Sequence, residues 1–315
     1  MKILFITATR IGDAVLSTGA LDHFIRTYPD AEITVACGPL VAGLFAPAPR
    51  VVRVIALKKE SWGRHWWKLL RETMPQEWDI IVDLRNSAVS RILRGKQKFI
   101  WRGSEKKGHK VEQIAAVIGA TPAPAPKLWL DDASIAAAEK LAPSGAPFIA
   151  IGPTANWPGK AWPAQNFVAL VNAMTASGSI LENARVAVFA APGEEAAAKP
   201  VLDAFPPERR IDMIAKGSPL VAGAVIARAE IYIGNDSGLT HIAAAVGTPT
   251  LALFGYGWPE QYSPWGNHAA YIRTPETPEQ LLAGRSTDSI TSSLMGSLTV
   301  TAAVEAAVRL WDKTR

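Results

Sequence analysis

Three short segments of the chain combine polar, charged and glycine residues at spacings that could support chemistry. The first runs Arg10-Ile11-Gly12-Asp13, where Gly12 permits a tight turn and Asp13 stands where a helix should begin. A carboxylate in this place is a candidate general base that takes a proton from an attacking hydroxyl. Asp is also a frequent helix N-cap, which contributes about 0.5 to 2 kcal/mol. The spacing alone leaves both interpretations open.

The second segment is a loop that follows an apolar run at 148–152. Thr154 and Asn156 could donate hydrogen bonds there. Lys160 could neutralise the charge that develops on a leaving diphosphate. The alternative is an ordinary solvated lysine beside Trp162, which would then pack in the core.

The third segment is the most informative, because it joins a strand end to a helix start at 234–241. The first free N–H groups of a helix form a natural anion site. We predict that Ser237, Gly238 and Leu239 present donors to a phosphate, while Asp236 caps the helix or binds sugar hydroxyls. His241 lies one turn further and belongs to the same site, although a single histidine is often structural.

A weaker signal of the same kind follows another apolar run, at 186–190. Glu194 could bind ribose hydroxyls at that strand end. An acidic first turn of a helix is an equally good account of this residue.

These segments must be positioned by an alternating pattern of strands and helices, which predicts parallel sheets flanked by helices. The alternation of strands and helices is interrupted at a proline-rich stretch, 121–126, and resumes at 148. We predict an α/β protein of two Rossmann-like, doubly wound domains, 1–145 and 146–315, facing an interdomain cleft, with a last helix able to pack back on the first domain. Ligands would bind at the carboxyl ends of the strands. Predicted strands are 3–8, 33–37, 51–57, 79–84, 148–152, 186–190, 210–214, 231–235 and 250–254, and predicted helices include 133–141 and 300–311.

Composition narrows the classes of protein and partner. The net charge of +5 favours acidic partners such as phosphates, or simply a solvated surface. Cys37 is the single cysteine, so an internal disulfide framework is excluded and a reducing, cytoplasmic compartment fits. No apolar run is long enough to span a bilayer. No cluster of Cys or His residues has the spacing of metal ligands, so we expect no obligatory metal or other cofactor.

Taken together, the segments resemble glycosyltransferase family 9, the bacterial lipopolysaccharide heptosyltransferases. The resemblance is carried, in the family's order, by Arg10-Ile11-Gly12-Asp13 with Leu16-Ser17-Thr18, by Lys160-Ala161-Trp162-Pro163, and by Gly234-Asn235-Asp236-Ser237-Gly238 with His241 and Phe254-Gly255. It departs from the family at Gly19-Ala20-Leu21 and at Trp157-Pro158-Gly159.

The resemblance implies a GT-B fold and an inverting single displacement from ADP-heptose to a hydroxyl of the lipopolysaccharide inner core. It implies that Asp13 is the catalytic base and that Lys160 contacts the diphosphate and sugar. The donor site would comprise Asp236, Ser237, Gly238, Leu239 and His241, with Thr154, Asn156 and Glu194 as further donor contacts.

The first domain would then hold an anionic glycolipid or oligosaccharide acceptor, which requires cations. The candidate acceptor contacts are Gly12, Lys58, Arg64, Arg85 and Arg91. Arg64 stands beside Trp66 and Trp67, a combination that suits a membrane surface, here the inner face of the bacterial inner membrane. The alternative is helix packing with a wet, charged edge.

Other functions remain open at this point. A family 9 enzyme could use another nucleotide sugar, and a nucleotide-sugar epimerase could share the architecture. A non-catalytic binding module is disfavoured by the retained Asp13, Lys160 and His241. The first strand lacks the spaced glycines of a dinucleotide site, and no nucleic-acid reader motif is present.

Overall fold

The computed structural model describes residues 1–103 and 108–315, and these form two compact units, Met1–Asp131 and Asp132–Arg315. The division therefore falls after Asp131, whereas the sequence pattern placed it after residue 145. The difference lies in one helix, α6 (Asp132–Leu141), which packs against α9 (Pro219–Ile226) of the second unit. A helix that buries its apolar side on a unit belongs to that unit.

The first unit is a parallel sheet in the order β3-β2-β1-β4-β5 with helices around it. Its central strands are buried along nearly their whole length, as expected for a sheet covered on both faces. The strands are β1 (Lys2–Ile6), β2 (Glu32–Cys37), β3 (Val51–Ala56), β4 (Trp78–Asp83) and β5 (Gly95–Ile100), and the helices are α1 (Ile11–Thr27), α2 (Ala42–Phe45), α3 (Arg64–Thr73), α4 (Val89–Ile92) and α5 (Lys110–Ile118).

The second unit repeats this plan with a parallel sheet in the order β11-β10-β9-β6-β7-β8. The last helix, α13, packs on α7, β10 and β11. The strands are β6 (Phe148–Gly152), β7 (Arg185–Ala190), β8 (Arg210–Ile214), β9 (Ile231–Asn235), β10 (Thr250–Phe254) and β11 (Ala269–Arg273), and the helices besides α6 and α9 are α7 (Ala164–Thr175), α8 (Glu195–Asp203), α10 (Gly238–Ala245), α11 (Pro259–Tyr262), α12 (Pro278–Leu282) and α13 (Val300–Thr314).

Both sheets change winding direction beside a strand that carries a predicted site segment. In the first sheet, β1 lies between β2 and β4, and the segment with Asp13 follows it. In the second, β6 lies next to β9, so the Lys160 loop and the 235–241 segment leave the sheet side by side. Such switch points are where open α/β sheets bind ligands.

The proline-rich stretch 121–126 lies within the first unit. A Cβ atom added to Gly19 of α1 would stand 2.2 Å from the carbonyl oxygen of Pro124. Only glycine lets the two backbones approach so closely. This contact explains why residue 19 of this chain is glycine.

Among the described residues, no helix combines the length and the apolar character needed to cross a membrane.

Candidate active site

Asp13 occupies the first turn of α1 without capping it. The N-cap residue is Arg10, with extended backbone angles, and no side chain caps this helix end. The structure therefore does not support the capping interpretation of Asp13. Its side chain is half-buried and forms no hydrogen bond with another described residue. A carboxylate held in place by its helix yet free to accept a proton is suited to act as a base.

The residues that follow Asp13 in α1 have structural roles. The Ser17 hydroxyl lies 2.7 Å from that of Thr7, just after β1, and donates to the carbonyl of Ala14. Thr18 accepts a hydrogen bond from the backbone N–H of Lys127 at 2.9 Å. The Ser17–Thr7 contact fixes α1 against the end of β1, and the Lys127–Thr18 bond fixes it against the segment that follows α5. Together they fix the position of Asp13.

Lys110 was not among the candidates from the sequence, yet it feels the charge of Asp13. It is the first residue of α5, which packs against α1. Its ammonium lies 3.8 Å from the centroid of the Trp101 ring, a cation–π contact. Burial lowers the pKa of Lys110, and the charge of Asp13 opposes that shift. The sequence gave no signal of this contact, because Lys110 and Asp13 lie far apart along the chain.

The predicted acceptor cations follow the carboxyl ends of strands in the same sheet. Lys58 comes after β3 and Arg85 after β4, and both are exposed. The guanidinium of Arg85 lies 5.7 Å from the ring centroid of Trp66. Arg91 donates to the side chain of Asn86 at 2.9 Å. Parallel strands end at one edge, so these cations share the edge that carries Asp13.

Gly12 and Arg64 complete this set. Gly12 is the second residue of α1 and is half-buried, whereas Arg64 begins α3 and is exposed. Arg64 lies 4.0 Å from Glu60, a surface pair that contributes little to stability.

The buried carboxylate of Asp83, at the end of β4, binds the loop that contains Arg85 and Ser87. Asp83 accepts hydrogen bonds from the backbone N–H groups of Arg85 at 2.8 Å and Ser87 at 2.7 Å, and from the Ser87 hydroxyl at 2.7 Å. Its charge is therefore matched by donors within the loop, and its role is to hold the shape of this loop.

In the second unit, Lys160 forms an ion pair with Asp236. Lys160 ends a short 3-10 turn, Pro158–Lys160, and Asp236 directly follows β9. The lysine side chain is 26% exposed and the carboxylate 13%, so the pair is largely shielded from water. The structure thus brings together two predicted site residues that are 76 positions apart. Asp236 holds the ammonium at the carboxyl edge of the sheet.

Asn235 joins the end of β9 to both ends of the loop that carries Lys160. Its amide group donates to the carbonyl of Pro153 at 2.8 Å and accepts from the backbone N–H of Trp162 at 3.0 Å. The carbonyl of Asn235 accepts from the Thr240 hydroxyl at 2.6 Å. The residue is fully buried. It was part of the quoted motif, but the sequence offered no means of assigning it this positioning role.

Helix α10 begins at Gly238, after the N-cap Ser237, and no side chain caps it. The first N–H groups therefore point from the helix end without a capping oxygen, which is the arrangement that binds anions. The predicted capping hydrogen bond from Asp236 is not formed, because that carboxylate pairs with Lys160 instead. Leu239 is half-buried, and His241 is buried one turn into the helix.

Thr154 and Glu194 also meet, although Asn156 does not join them. The Thr154 hydroxyl donates to the carboxylate of Glu194, which also accepts from the backbone N–H of Ala191 at 3.2 Å. Glu194 thus stands at the N-cap of α8 without capping it. Asn156 is exposed and forms no hydrogen bond with another described residue.

The buried side chain of Tyr232 lies close to two glycines at the carboxyl ends of β6 and β9. Cβ atoms added to Gly152 and Gly234 would stand 2.1 Å and 2.5 Å from the Tyr232 hydroxyl oxygen. Both positions therefore require glycine. Burial raises the pKa of Tyr232 to about 12, and the hydrogen bond that the Thr240 hydroxyl donates at 3.5 Å opposes this shift.

The unusual Trp157-Pro158-Gly159 run is braced from three sides. The Trp157 ring packs edge-on against Tyr256, at 5.2 Å between centroids, and its N–H donates to the carbonyl of Thr287 at 3.2 Å. The carbonyl of Gly159 accepts from the backbone N–H of Leu294 at 3.2 Å. These contacts support the loop that carries Lys160.

Within the described part of the chain, no group of three or more His, Cys, Asp or Glu side chains is arranged to hold a metal ion.

Comparison with known proteins decides the family. Residues 109–285 match the model of glycosyltransferase family 9 (heptosyltransferase), which is more than half of the 315 residues. The chain belongs to glycosyltransferase family 9. The matched residues of this glycosyltransferase include Lys160, Asp236 and His241, and Asp13 lies before them. The resemblance predicted from the three motifs is confirmed.

Individual relatives agree with this assignment. The family 9 enzyme is 26% identical over 317 residues to lipooligosaccharide heptosyltransferase 2 of Haemophilus influenzae, covering 88% of this chain and 89% of the relative. Among solved structures, the family 9 glycosyltransferase of Veillonella parvula has a TM-score of 0.79 at 18% identity, covering 99% of this chain and 97% of that one. The ADP-heptose lipopolysaccharide heptosyltransferase II of Escherichia coli has a TM-score of 0.76 at 20% identity, covering 99% of both chains. The predicted GT-B fold is confirmed.

Proposed function

We propose that this glycosyltransferase moves a heptose from ADP-heptose to a hydroxyl of the lipopolysaccharide inner core. The similarity to heptosyltransferases supports the sugar and the acceptor. The ion pair between Lys160 and Asp236 beside the uncapped start of α10 is the observation that carries the donor site. It provides a cation and a set of N–H donors for a diphosphate, and a carboxylate for sugar hydroxyls.

The second unit would bind the donor. Phosphate oxygens accept hydrogen bonds from the N–H groups at Ser237, Gly238 and Leu239, where the helix dipole also favours negative charge. Lys160 shifts from Asp236 toward the diphosphate as charge grows on the leaving group. Asp236 and His241 would then face the sugar.

The remaining donor contacts concern the nucleoside. Glu194 and Thr154, already joined by a hydrogen bond, would bind the ribose hydroxyls, with Asn156 reaching in from the exposed loop. A carboxylate and a hydroxyl at a strand end can together satisfy two neighbouring sugar hydroxyls.

The first unit would bind the acceptor and start the reaction. Asp13 takes the proton from the acceptor hydroxyl as its oxygen bonds to the anomeric carbon. The bond from that carbon to the diphosphate oxygen breaks, and ADP leaves with the electron pair. Attack opposite the leaving group inverts the anomeric configuration. Anionic groups on the acceptor would be bound by Lys58, Arg64, Arg85 and Arg91, with Gly12 allowing close approach.

Protein groups would neutralise the negative charge of the leaving diphosphate. Lys160 and the α10 N-terminus supply the positive potential that other transferases obtain from a divalent cation. We therefore expect transfer to persist after removal of divalent ions with EDTA. A loss of transfer that Mg²⁺ or Mn²⁺ restores would contradict this part of the proposal.

Asp13→Asn is the decisive variant, because it keeps the shape of the side chain and removes the base. We expect kcat to fall by about 10² to 10⁴, with ADP-heptose affinity measured by calorimetry changing less than about twofold, since the donor contacts are untouched. Asp30→Asn, at an exposed aspartate, is the matched control. An equal loss of donor affinity or of thermal stability in Asp13→Asn would make the residue structural.

Product analysis separates heptose transfer from transfer of another sugar and from epimerisation. Mass spectrometry of products from a panel of nucleotide sugars, with and without acceptor, reports the donor. Transfer of a different sugar would keep the mechanism and change the donor, whereas isomerisation of a nucleotide sugar without acceptor would replace transfer by epimerisation.

A further inference from the structure

Two aromatic side chains from different loops of the second unit pack against each other. Trp157 lies in the loop after β6, and Tyr256 lies in the segment that follows β10. Their ring centroids are 5.2 Å apart and their planes meet at 70°, which is an edge-on contact. Both side chains are only half-buried, so part of each ring is open to a ligand. We call Trp157 and Tyr256 the aromatic pair.

The Trp157 ring lies on the backbone just before Lys160. A Cβ atom added to Gly159 would stand 2.5 Å from Cη2 of that ring, so only a residue without a side chain lets the indole come so close. The indole N–H donates to the carbonyl of Thr287 at 3.2 Å, which fixes the ring in this place. Because this N–H is used within the protein, the ring offers a ligand apolar surface.

Tyr256 stands next to the other member of the ion pair. Gly257, which follows it, is buried, and a Cβ atom added there would lie 3.1 Å from Oδ2 of Asp236. That oxygen is the one that pairs with Lys160. The backbone after β10 therefore runs against the Asp236 carboxylate, and the aromatic pair borders the ion pair from both loops.

The Tyr256 hydroxyl forms no hydrogen bond with another described residue. A tyrosine hydroxyl in a partly buried place usually has a partner, and it can both donate and accept. A sugar carries C–H groups on a face of its ring and hydroxyls around the edge. Apolar ring surface beside an unpaired hydroxyl and a carboxylate matches that chemistry, because ligand sites combine aromatic surface with a few polar groups.

The order of the strands indicates which part of the donor reaches the aromatic pair. Neighbouring strands run β10-β9-β6-β7. Under the proposed function, on which this step rests, Glu194 after β7 binds the ribose, while Lys160 after β6 and the start of α10 after β9 bind the diphosphate. A nucleotide sugar carries its sugar on the opposite side of the diphosphate from the ribose. The sugar therefore extends toward β10 and Tyr256.

We propose that the aromatic pair binds the transferred sugar of the donor. The rings of Trp157 and Tyr256 pack against C–H groups on one face of the sugar, which removes apolar surface from water. The Tyr256 hydroxyl forms a hydrogen bond with a sugar hydroxyl. These contacts add to those of Asp236 and His241, and they make the aromatic pair a determinant of which sugar the enzyme accepts.

The test compares the binding of ADP with that of ADP-heptose, which differ by the sugar. Calorimetry without acceptor gives a dissociation constant for each ligand. The ratio of the two constants reports the sugar contact, because a damaged diphosphate site weakens both ligands alike.

Tyr256→Phe keeps the ring and removes the hydroxyl. We expect the dissociation constant of ADP-heptose to rise by about threefold to tenfold, the worth of one hydrogen bond, while that of ADP changes by less than about twofold. Tyr256→Leu also removes the ring and should raise the ADP-heptose constant by about threefold more. Tyr271→Phe, at a tyrosine of β11 that is 45% exposed, is the matched control and should change neither constant.

Trp157→Leu tests the other ring. Because Trp157 also supports the Lys160 loop, we expect this variant to weaken ADP binding, and to weaken ADP-heptose binding by about threefold or more beyond that. Trp67→Leu, at a tryptophan of the first unit that is 71% exposed, is the matched control. Thermal unfolding checks that every variant folds.

Three results would overturn the proposal. Equal weakening of ADP and ADP-heptose in Tyr256→Leu would assign Tyr256 to the diphosphate site. Unchanged binding of both ligands would mean that the sugar does not touch it. A raised acceptor KM with unchanged donor affinity would assign the aromatic pair to the acceptor saccharide.

Failure of the proposed function is a different result. If product analysis identifies another nucleotide sugar as the donor, the assignment of heptose fails. The same pair of titrations, made with that nucleotide and its sugar, then decides whether the aromatic pair binds the sugar. If the wild type binds neither ADP nor any nucleotide sugar of the panel, the donor site and the aromatic pair's role both fail.

Discussion

The Asn235 side chain accepts a hydrogen bond from the backbone N–H of Trp162 at 3.0 Å and donates one to the carbonyl of Pro153 at 2.8 Å. One buried amide thus ties the end of β9 to both ends of the loop that carries Lys160. Neither backbone group can reach water at this site, so each depends on Asn235 for a partner.

We therefore expect Asn235→Ala to lower the free energy of unfolding by about 2 kcal/mol or more, since it leaves buried polar groups without partners. The KM for the donor should also rise, because the Lys160 loop loses its anchor. Urea unfolding and donor titration of kcat/KM measure the two effects. Asn267→Ala, at an exposed asparagine, should change neither. A normal donor KM in Asn235→Ala would show that the loop is held by other contacts.

Much of the framework around this anchor could be predicted from sequence. The strands β6, β9 and β10 begin and end where the apolar runs do, because these central strands are buried on both faces and read as continuous apolar segments. The edge strand β8 was also predicted with the bounds that the structure has. The edge strands β5 and β11 were missed. Their burial is partial, so neither reads as a continuous apolar run, and in β5 the run is broken by the exposed Lys96 and Lys98.

The candidate site was predictable to a lesser degree. Asp13, Lys160 and Asp236 could be predicted as site residues, because the carboxylate or amine that each carries is known from the sequence itself. The contacts of Asn235 and Lys110 were not, because each depends on elements far apart in sequence that only the packed sheet brings together. Of the two roles predicted for Asp236, helix capping is not formed and the ion pair with Lys160 takes its place, while binding of sugar hydroxyls stays a prediction.

Lys110 offers a test of the acceptor side. Its ammonium is held over Trp101 and is electrostatically linked to Asp13, so it should attract an anionic group of the acceptor toward the base. Lys110→Met should raise the acceptor KM by about tenfold, near the worth of a partly desolvated charge contact, and leave the donor KM unchanged. Lys110→Arg should recover part of the loss.

Initial rates at varied acceptor and donor concentrations distinguish these effects. Lys140→Met, at an exposed lysine of α6, serves as the control for loss of a surface cation. Equal increases in both KM values, or a lower melting temperature in Lys110→Met, would place Lys110 among the structural residues.

The Tyr232 hydroxyl leaves no room for a side chain at Gly152, at the end of β6. Gly152→Ala would place a Cβ atom 2.1 Å from that oxygen, so the variant should lose roughly 1 to 3 kcal/mol of unfolding free energy by overpacking. Adding Tyr232→Phe removes the clashing oxygen and should restore part of the loss. A double-mutant cycle by urea unfolding measures the coupling, and purely additive effects would contradict the contact.

The same hydroxyl should make stability depend on alkaline pH. Burial raises the pKa of Tyr232 from 10.0 to about 12, so above pH 10 the unfolded chain releases a proton that the native protein keeps. The stabilising contribution is complete below pH 10 and is lost as pH rises toward 12. At pH 11 the loss from this group is roughly 1 kcal/mol.

Tyr232→Phe should therefore lose about 1 kcal/mol less unfolding free energy than the wild type between pH 8 and pH 11. Lysine titration affects both proteins alike and cancels in the comparison. Urea unfolding at the two pH values gives the difference, and Tyr271→Phe, at a tyrosine that is 45% exposed, is the control. Identical losses in Tyr232→Phe and the wild type would mean that the hydroxyl ionises as readily in the native protein as in the unfolded chain.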